Sequence, residues 1–211
     1  MTIRSTGGRV AAFAWLAFAA LNIADLVFGF TGDPEHSPTT YLIAALLLLG
    51  CGIAYTVGLR PAIVGDDDAL TVRNPLRDTR APWGAVRSIE GREAVVVRFT
   101  GPDGDQLRTR AWVHQTSPRA QAKAEARARK QDARLGAQIK GRTPAKFAAE
   151  RLNEMRDRQR PKTRSGAPDK AAAARDAEDV RGSVSWSIPA IAALAVPGVA
   201  VVVCAILAFV S

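Results

Sequence analysis

The side chains able to do chemistry in this chain of 211 residues are few and lie far apart. Neither histidine, His36 or His114, has a cysteine or second histidine close by, and Cys51 and Cys204 sit inside apolar stretches. No zinc spacing and no disulfide framework results. No Gly-rich phosphate loop and no Ser/His/Asp order occurs either. Asp66-Asp67-Asp68 has the charge to attract calcium, yet one short acidic turn without further ligands reads as a turn. The expectation is a protein without catalysis, metal or cofactor.

Two sets of polar residues remain. Asn22 and Asp25 lie three apart inside an apolar run, on one face of any helix formed there. An intramembrane carboxylate can serve an ion or proton path, while the alternative is polar glue between helices near the outer interface. The second set is basic and aromatic. Arg108, Arg110 and Trp112 alternate along one strand face, and Arg73, Arg77 and Arg80 belong to strands expected beside it. Together they would hold an anionic headgroup or an acidic peptide, unless they form an ordinary solvated face.

Three apolar stretches must position these groups. After a basic N-terminus over 1–9 with Arg4 and Arg9, residues 10–30 are long enough to cross a bilayer. A cleaved signal peptide ending near Ala17-Phe18-Ala19 is the rival, but the run outlasts a usual signal core. The loop 31–40 carries Asp33 and Glu35 and no Lys or Arg, residues 41–59 form a second span, and residues 186–210 a third with Pro189 and Pro197-Gly198 expected to bend it. Lys and Arg favour the cytoplasmic side, which sets the N-terminus and Arg60 inside and the acidic loop outside.

Between spans two and three, residues 60–116 read as a compact antiparallel β unit. Short alternating runs (PAIV, ALTVRN, LRDTRAP, WGAVRSIEG, REAVVVRFT, QLRTRAWV) are separated by turn signals. Pro102-Asp103-Gly104 supplies a fixed φ, an Asx acceptor and a residue tolerant of positive φ, so it should close a hairpin. Val95, Val97 and Phe99 point one way and Ala94, Val96 and Arg98 the other; Leu107, Thr109, Ala111 and Val113 likewise oppose Arg108, Arg110 and Trp112. Trp83, with Val86 and Ile89 after it, fits a short helical turn feeding a strand and should be core.

On the "RP" start after a span, the "LTVRNPLRDTRAPW" strand pair and the "GPDGDQLRTRAW" hairpin, this unit resembles the bacterial pleckstrin-homology (PH) domains of small actinobacterial membrane proteins, the group that includes the low-molecular-weight protein antigens. The resemblance implies a PH-like barrel or roll on a membrane anchor. It also implies a C-terminal amphipathic helix closing the barrel, for which Ala124, Ala128, Leu135 and Ile139 give the best stripe. Phosphoinositide-binding PH domains place basic residues in the loop between their first two strands. Here that loop is Asp66-Asp67-Asp68, which argues against inositol phosphates.

Residues 117–160 turn to Ala and charge and predict a basic arm of two helices, started by Ser117-Pro118 and Thr143-Pro144. In the second, Phe147, Leu152 and Met155 offer a thin apolar edge. Residues 161–185 have linker composition. From Gln121 to Ser185 there are 17 Lys and Arg against 9 Asp and Glu, a net of +8, whereas Arg60 to Ala120 nets +2. The arm therefore carries most of the chain's +9. With Phe147 as its one aromatic and acids throughout, nucleic acid is the least favoured partner; anionic lipid or a membrane-associated protein fits better.

The expectation is a three-span inner-membrane protein that displays a cytosolic PH-like β module and a basic arm. It would serve as a binding or scaffold module. A small transport or channel subunit built on Asn22 and Asp25 is the competing class.

Overall fold

The computed structural model describes residues 1–30, 32, 37–113, 144–159 and 180–210. The first arm helix, the linker 161–179 and the stripe Ala124, Ala128, Leu135 and Ile139 lie outside them, as do His36 and His114. The described chain divides into two units: Met1–Arg4 with Ala62–Ser185, and Ser5–Pro61 with Trp186–Ser211.

The first unit is built on two antiparallel sheets. One has five strands in the order β1-β2-β3-β4-β8, with β1 Thr2–Arg4, β2 Ala62–Gly65, β3 Ala69–Arg73, β4 Arg77–Pro82 and β8 Ser183–Trp186. The other is β5-β6-β7, with β5 Val86–Gly91, β6 Val95–Thr100 and β7 Gln106–Arg110. Six of these strands fall on the alternating runs of the sequence. The two sheets do not close into one barrel; they form a roll, and a short 3-10 turn at Trp83–Ala85 carries the chain from one to the other. β1 and β8 were not expected. β1 pairs Ile3 with Ile63, which converts three residues of the basic N-terminus into an edge strand.

Period-two alternation explains the core. Leu70, Val72 and Ala81 of the larger sheet and Val95, Val97 and Phe99 of the smaller are almost wholly buried, with Ile63, Val86, Ile89 and Trp83 among them. Each fully buried Val, Leu, Ile or Phe contributes about 1.5–3 kcal/mol over its exposed state. Trp83 is core as expected, and its indole Nε1 donates to the Asp66 carbonyl at 2.9 Å. The Pro102-Asp103-Gly104 turn joins β6 to β7, with Gly104 at φ 89° and Gly101 N–H donating to Asp105 O at 2.8 Å.

A helix, α3, covers Pro144–Gln159 and packs on β5 and β6. Ala145, Ala148, Ala149 and Leu152 follow helical spacing and join the core, with Met155 packed against it. Phe147, read in the sequence as part of the apolar edge, is instead 50% exposed. The close approach needs a glycine on the sheet side: a Cβ at Gly91 would run into the backbone of Ala145 and Lys146. This helix, assigned to the arm by the sequence, thus completes the hydrophobic core of the β module.

The second unit holds three helices long and apolar enough to cross a membrane: α1 Thr6–Phe28, α2 Pro38–Ile53 extended to Leu59 by a π-helical stretch, and α4 Ile188–Val210, which runs through Pro197. They begin or end within a few residues of the bounds read from the sequence. The widened turn is visible where Arg60 N–H donates to Tyr55 O, five residues back, at 2.9 Å. Small residues set the helix contacts. Trp15 of α1 lies against Gly50 of α2, and a Cβ at Gly52 would strike the Ala193 carbonyl of α4.

Candidate functional site

The six residues singled out as a binding face divide between the two sheets. Arg73, Arg77 and Arg80 belong to β3 and β4, whereas Arg108 and Arg110 are on β7, with Trp112 just past it. β4 and β7 are therefore not neighbours in one sheet, as the sequence reading had them. Within the larger sheet Arg73 lies opposite Asp78 and Arg80 opposite Thr71, both on the face turned from the core. Arg77 alternates with Thr79 and Ala81 and falls on the other face, exposed at the strand's start. All six are exposed, and Trp112 keeps 44% of its surface accessible.

One residue reunites four of them. Asn74, in the turn between β3 and β4, donates through Nδ2 to the Arg110 carbonyl at 3.0 Å. Its Oδ1 accepts from the Trp112 N–H at 2.8 Å. The turn itself closes by Asn74 N–H to Arg77 O, at 2.8 Å. Arg73 and Arg77, on either side of Asn74, are thereby brought to the end of β7 beside Arg110 and Trp112. A second tie, Thr79 Oγ1 to Thr109 Oγ1 at 3.2 Å, joins the sheets deeper in. Arg80 stands apart, towards the acidic turn. Sequence reasoning missed Asn74; Asn-Pro announced a turn, but its partners lie 36 and 38 residues away.

The charges of the smaller sheet are unequally matched. Arg98 and Arg108 face each other directly across β6 and β7, a repulsive placement. Glu90 relieves Arg98 at 3.2 Å, and Glu93 meets Arg110 at 3.4 Å. These exposed pairs contribute little to stability, about 0–1 kcal/mol each. Their effect is to leave Arg108 as the cation of this row that meets no carboxylate among the described residues.

The acidic turn is structural. Asp66 Oδ1 accepts the N–H of Ala69 at 2.6 Å and of Asp68 at 3.0 Å, closing β2 onto β3. Donation by the Ala69 amide, above all, holds its carboxyl below the usual carboxylate range, with Arg80 adding a smaller pull. Among the described residues no cluster of His, Cys, Asp and Glu could hold a metal ion. In the apolar helices, Asn22 donates to Phe18 O of its own helix at 2.8 Å, and Asp25 lies half-buried one turn on.

Residues 60–131 match the family model of the bacterial PH domain. No curated protein and no solved structure matches the chain. The two-sheet roll, the indole-pinned first turn and the matched segment agree: this chain carries a bacterial PH domain, a kind of domain that serves in binding, together with three helices able to cross a membrane.

Proposed function

We propose that the protein is a non-catalytic binding or scaffold module of the inner membrane, holding its PH domain at the cytoplasmic surface to recognise a membrane-associated protein or an anionic lipid. The observation that carries this reading is the membership of the five-stranded sheet. β1 ends at Arg4, two residues before α1; β2 starts at Ala62, three residues after the second span; β8 ends at Trp186, two residues before α4. Linkers this short cannot cross a bilayer, which supports a topology with all three span ends on one side of it. In sequence Arg4, Arg9 and Arg60 lie within a few residues of those ends, while the loop 31–40 between the first two spans carries Asp33 and Glu35 and no Lys or Arg, a distribution that favours the cytoplasm as the shared side.

The recognition surface in this reading is the corner where Asn74 gathers Arg73, Arg77, Arg110 and Trp112. Arginine with an exposed tryptophan is the composition of a binding hot spot. A photoreactive benzoylphenylalanine at Trp112 of the full-length protein, irradiated in its native membrane, should give a discrete protein or lipid adduct; one at Thr71, on the outer face of the other sheet, should not. Absence of any adduct at both Trp112 and Arg110 would contradict the reading. A transport role gains no support from Asn22, whose amide is spent within its own helix. Asp25→Asn should leave the adduct unchanged.

A further inference from the structure

We infer that β7 is a docking edge for an extended acidic peptide, which adds to the smaller sheet as a fourth strand. The inference rests on the reading above that this domain binds, and names the partner's chemistry. In the β6–β7 ladder Ala111 N–H donates to Val95 O at 2.8 Å, and the pairs run Val96 to Arg110, Val97 to Thr109, Arg98 to Arg108 and Phe99 to Leu107. Antiparallel alternation then turns the backbone groups of Leu107, Thr109 and Ala111 toward β6 and those of Gln106, Arg108, Arg110 and Trp112 away from it. Asn74 occupies the far end of that outward row. Its side-chain amide donates to Arg110 O and accepts from Trp112 N, standing in for one peptide unit of a neighbouring strand. The N–H and C=O of Arg108 and the N–H of Arg110 continue the same row, and no described strand pairs with them. The opposite edge of this sheet, β5, is packed against α3.

Charge selects the occupant. An exposed edge is ordinarily guarded by charge against indiscriminate pairing, and the charges β7 itself carries are both arginines, of which Arg110 meets Glu93. Arg108 and Arg110 alternate along the edge, and Arg73 and Arg77 flank the end that Asn74 marks. Arg108 faces Arg98 across the ladder and meets no carboxylate among the described residues. A strand with Asp or Glu at alternate positions would put carboxylates beside this arginine row, while main-chain hydrogen bonds to Arg108 supply affinity. Trp112 would pack against the residue following the last carboxylate.

The test uses the full-length protein in lipid nanodiscs, panned against a displayed library of random decapeptides. Selected peptides should carry Asp or Glu at every second position. Binding should fall at least tenfold when alternate backbone amides of the best peptide are N-methylated, which leaves its charge intact but removes its strand hydrogen bonds. Arg108→Glu should abolish binding. Arg108→Pro, which removes the outward N–H together with the guanidinium side chain, should weaken binding with the fold retained by circular dichroism. Selection of no peptide, of peptides without acids, or of peptides indifferent to N-methylation would overturn the inference. So would capture of phosphatidylserine vesicles that is lost in Arg108→Glu while peptide binding is absent, since that assigns the row to a lipid headgroup. Peptides insensitive to Arg108 but blocked by Trp112→Ala would sink the added strand and leave the binding module standing. A failed photo-adduct at Trp112 and Arg110 would strike the module itself.

Discussion

The two sheets of the PH domain are finished in opposite ways. The larger one has both flanks extended by strands from outside the matched segment, β1 and β8, each within two residues of an apolar helix. The smaller one has β5 under α3, and on the far side of β7 no described strand pairs, with Asn74 bonded at one end. The same sequence unit thus joins membrane helices through one sheet and presents a basic edge on the other. The flanked sheet and the sheet with the basic edge pack on a shared core.

The separation can be broken at its strongest point by emptying that core. Leu152→Ala removes a fully buried side chain of α3 and should cost about 2–5 kcal/mol in urea unfolding of the detergent-solubilised chain. Phe147→Ala, on the exposed face of the same helix, should change stability by no more than about 0.5 kcal/mol. Equal effects would mean that α3 does not close the domain.

Ile3→Asp attacks the attached side. Ile3 pairs with Ile63 and packs partly on the core, so a carboxylate there should destabilise the larger sheet by about 1–3 kcal/mol. Hydrogen exchange should quicken in β2 and leave β6 protected. Quickening spread equally over both sheets would deny them separate edges.

Asn74→Ala sharpens the other side. It frees Arg110 O and Trp112 N to water and should cost about 1 kcal/mol, because both groups are solvent-accessible once released. Exchange of the Trp112 amide should rise sharply while that of Val97 stays slow.

The smallest effect is a matter of pH. Asp66 has a lowered folded pKa, chiefly from the Ala69 amide, so its ionised form stabilises the fold. That contribution is complete above the ordinary carboxylate pKa of an unfolded chain and is lost as pH falls through the lowered folded value. Asp66→Asn should therefore match the parent's acid sensitivity less closely below pH of about 4 than above it, unfolding with a shallower acid limb. An unchanged acid limb would remove Asp66 from the turn's electrostatics.

What the sequence revealed follows the range of the interactions involved. β2 to β7 were legible because alternation, Trp83 and the Pro102-Asp103-Gly104 turn act within a few residues. β1 and β8 were not, since Thr2–Arg4 and Ser183–Trp186 are too short to carry a period and owe their form to partners far along the chain. In α3 the true stripe is Ala145, Ala148, Ala149 and Leu152; alanine carries so little apolar signal that Phe147 drew attention instead, and the close approach it permits needs the missing Cβ of Gly91. The exposure of Arg108, Arg110 and Trp112 was readable from alternation. Their separation from Arg73, Arg77 and Arg80 by a change of sheet, and their partial reunion through Asn74, required the fold.

The proposed topology sets the PH domain on the cytoplasmic side. The direct measurement is labelling of single cysteines, in a background where Cys51 and Cys204 are alanine, by a membrane-impermeant maleimide. Cysteines at Arg4, Asp103 and Ser183 should react only after the cells are permeabilised, and one at Gly32 should react in intact cells. Labelling of Asp103 and Ser183 in intact cells, or of Arg4 and Ser183 on opposite sides, would contradict the account.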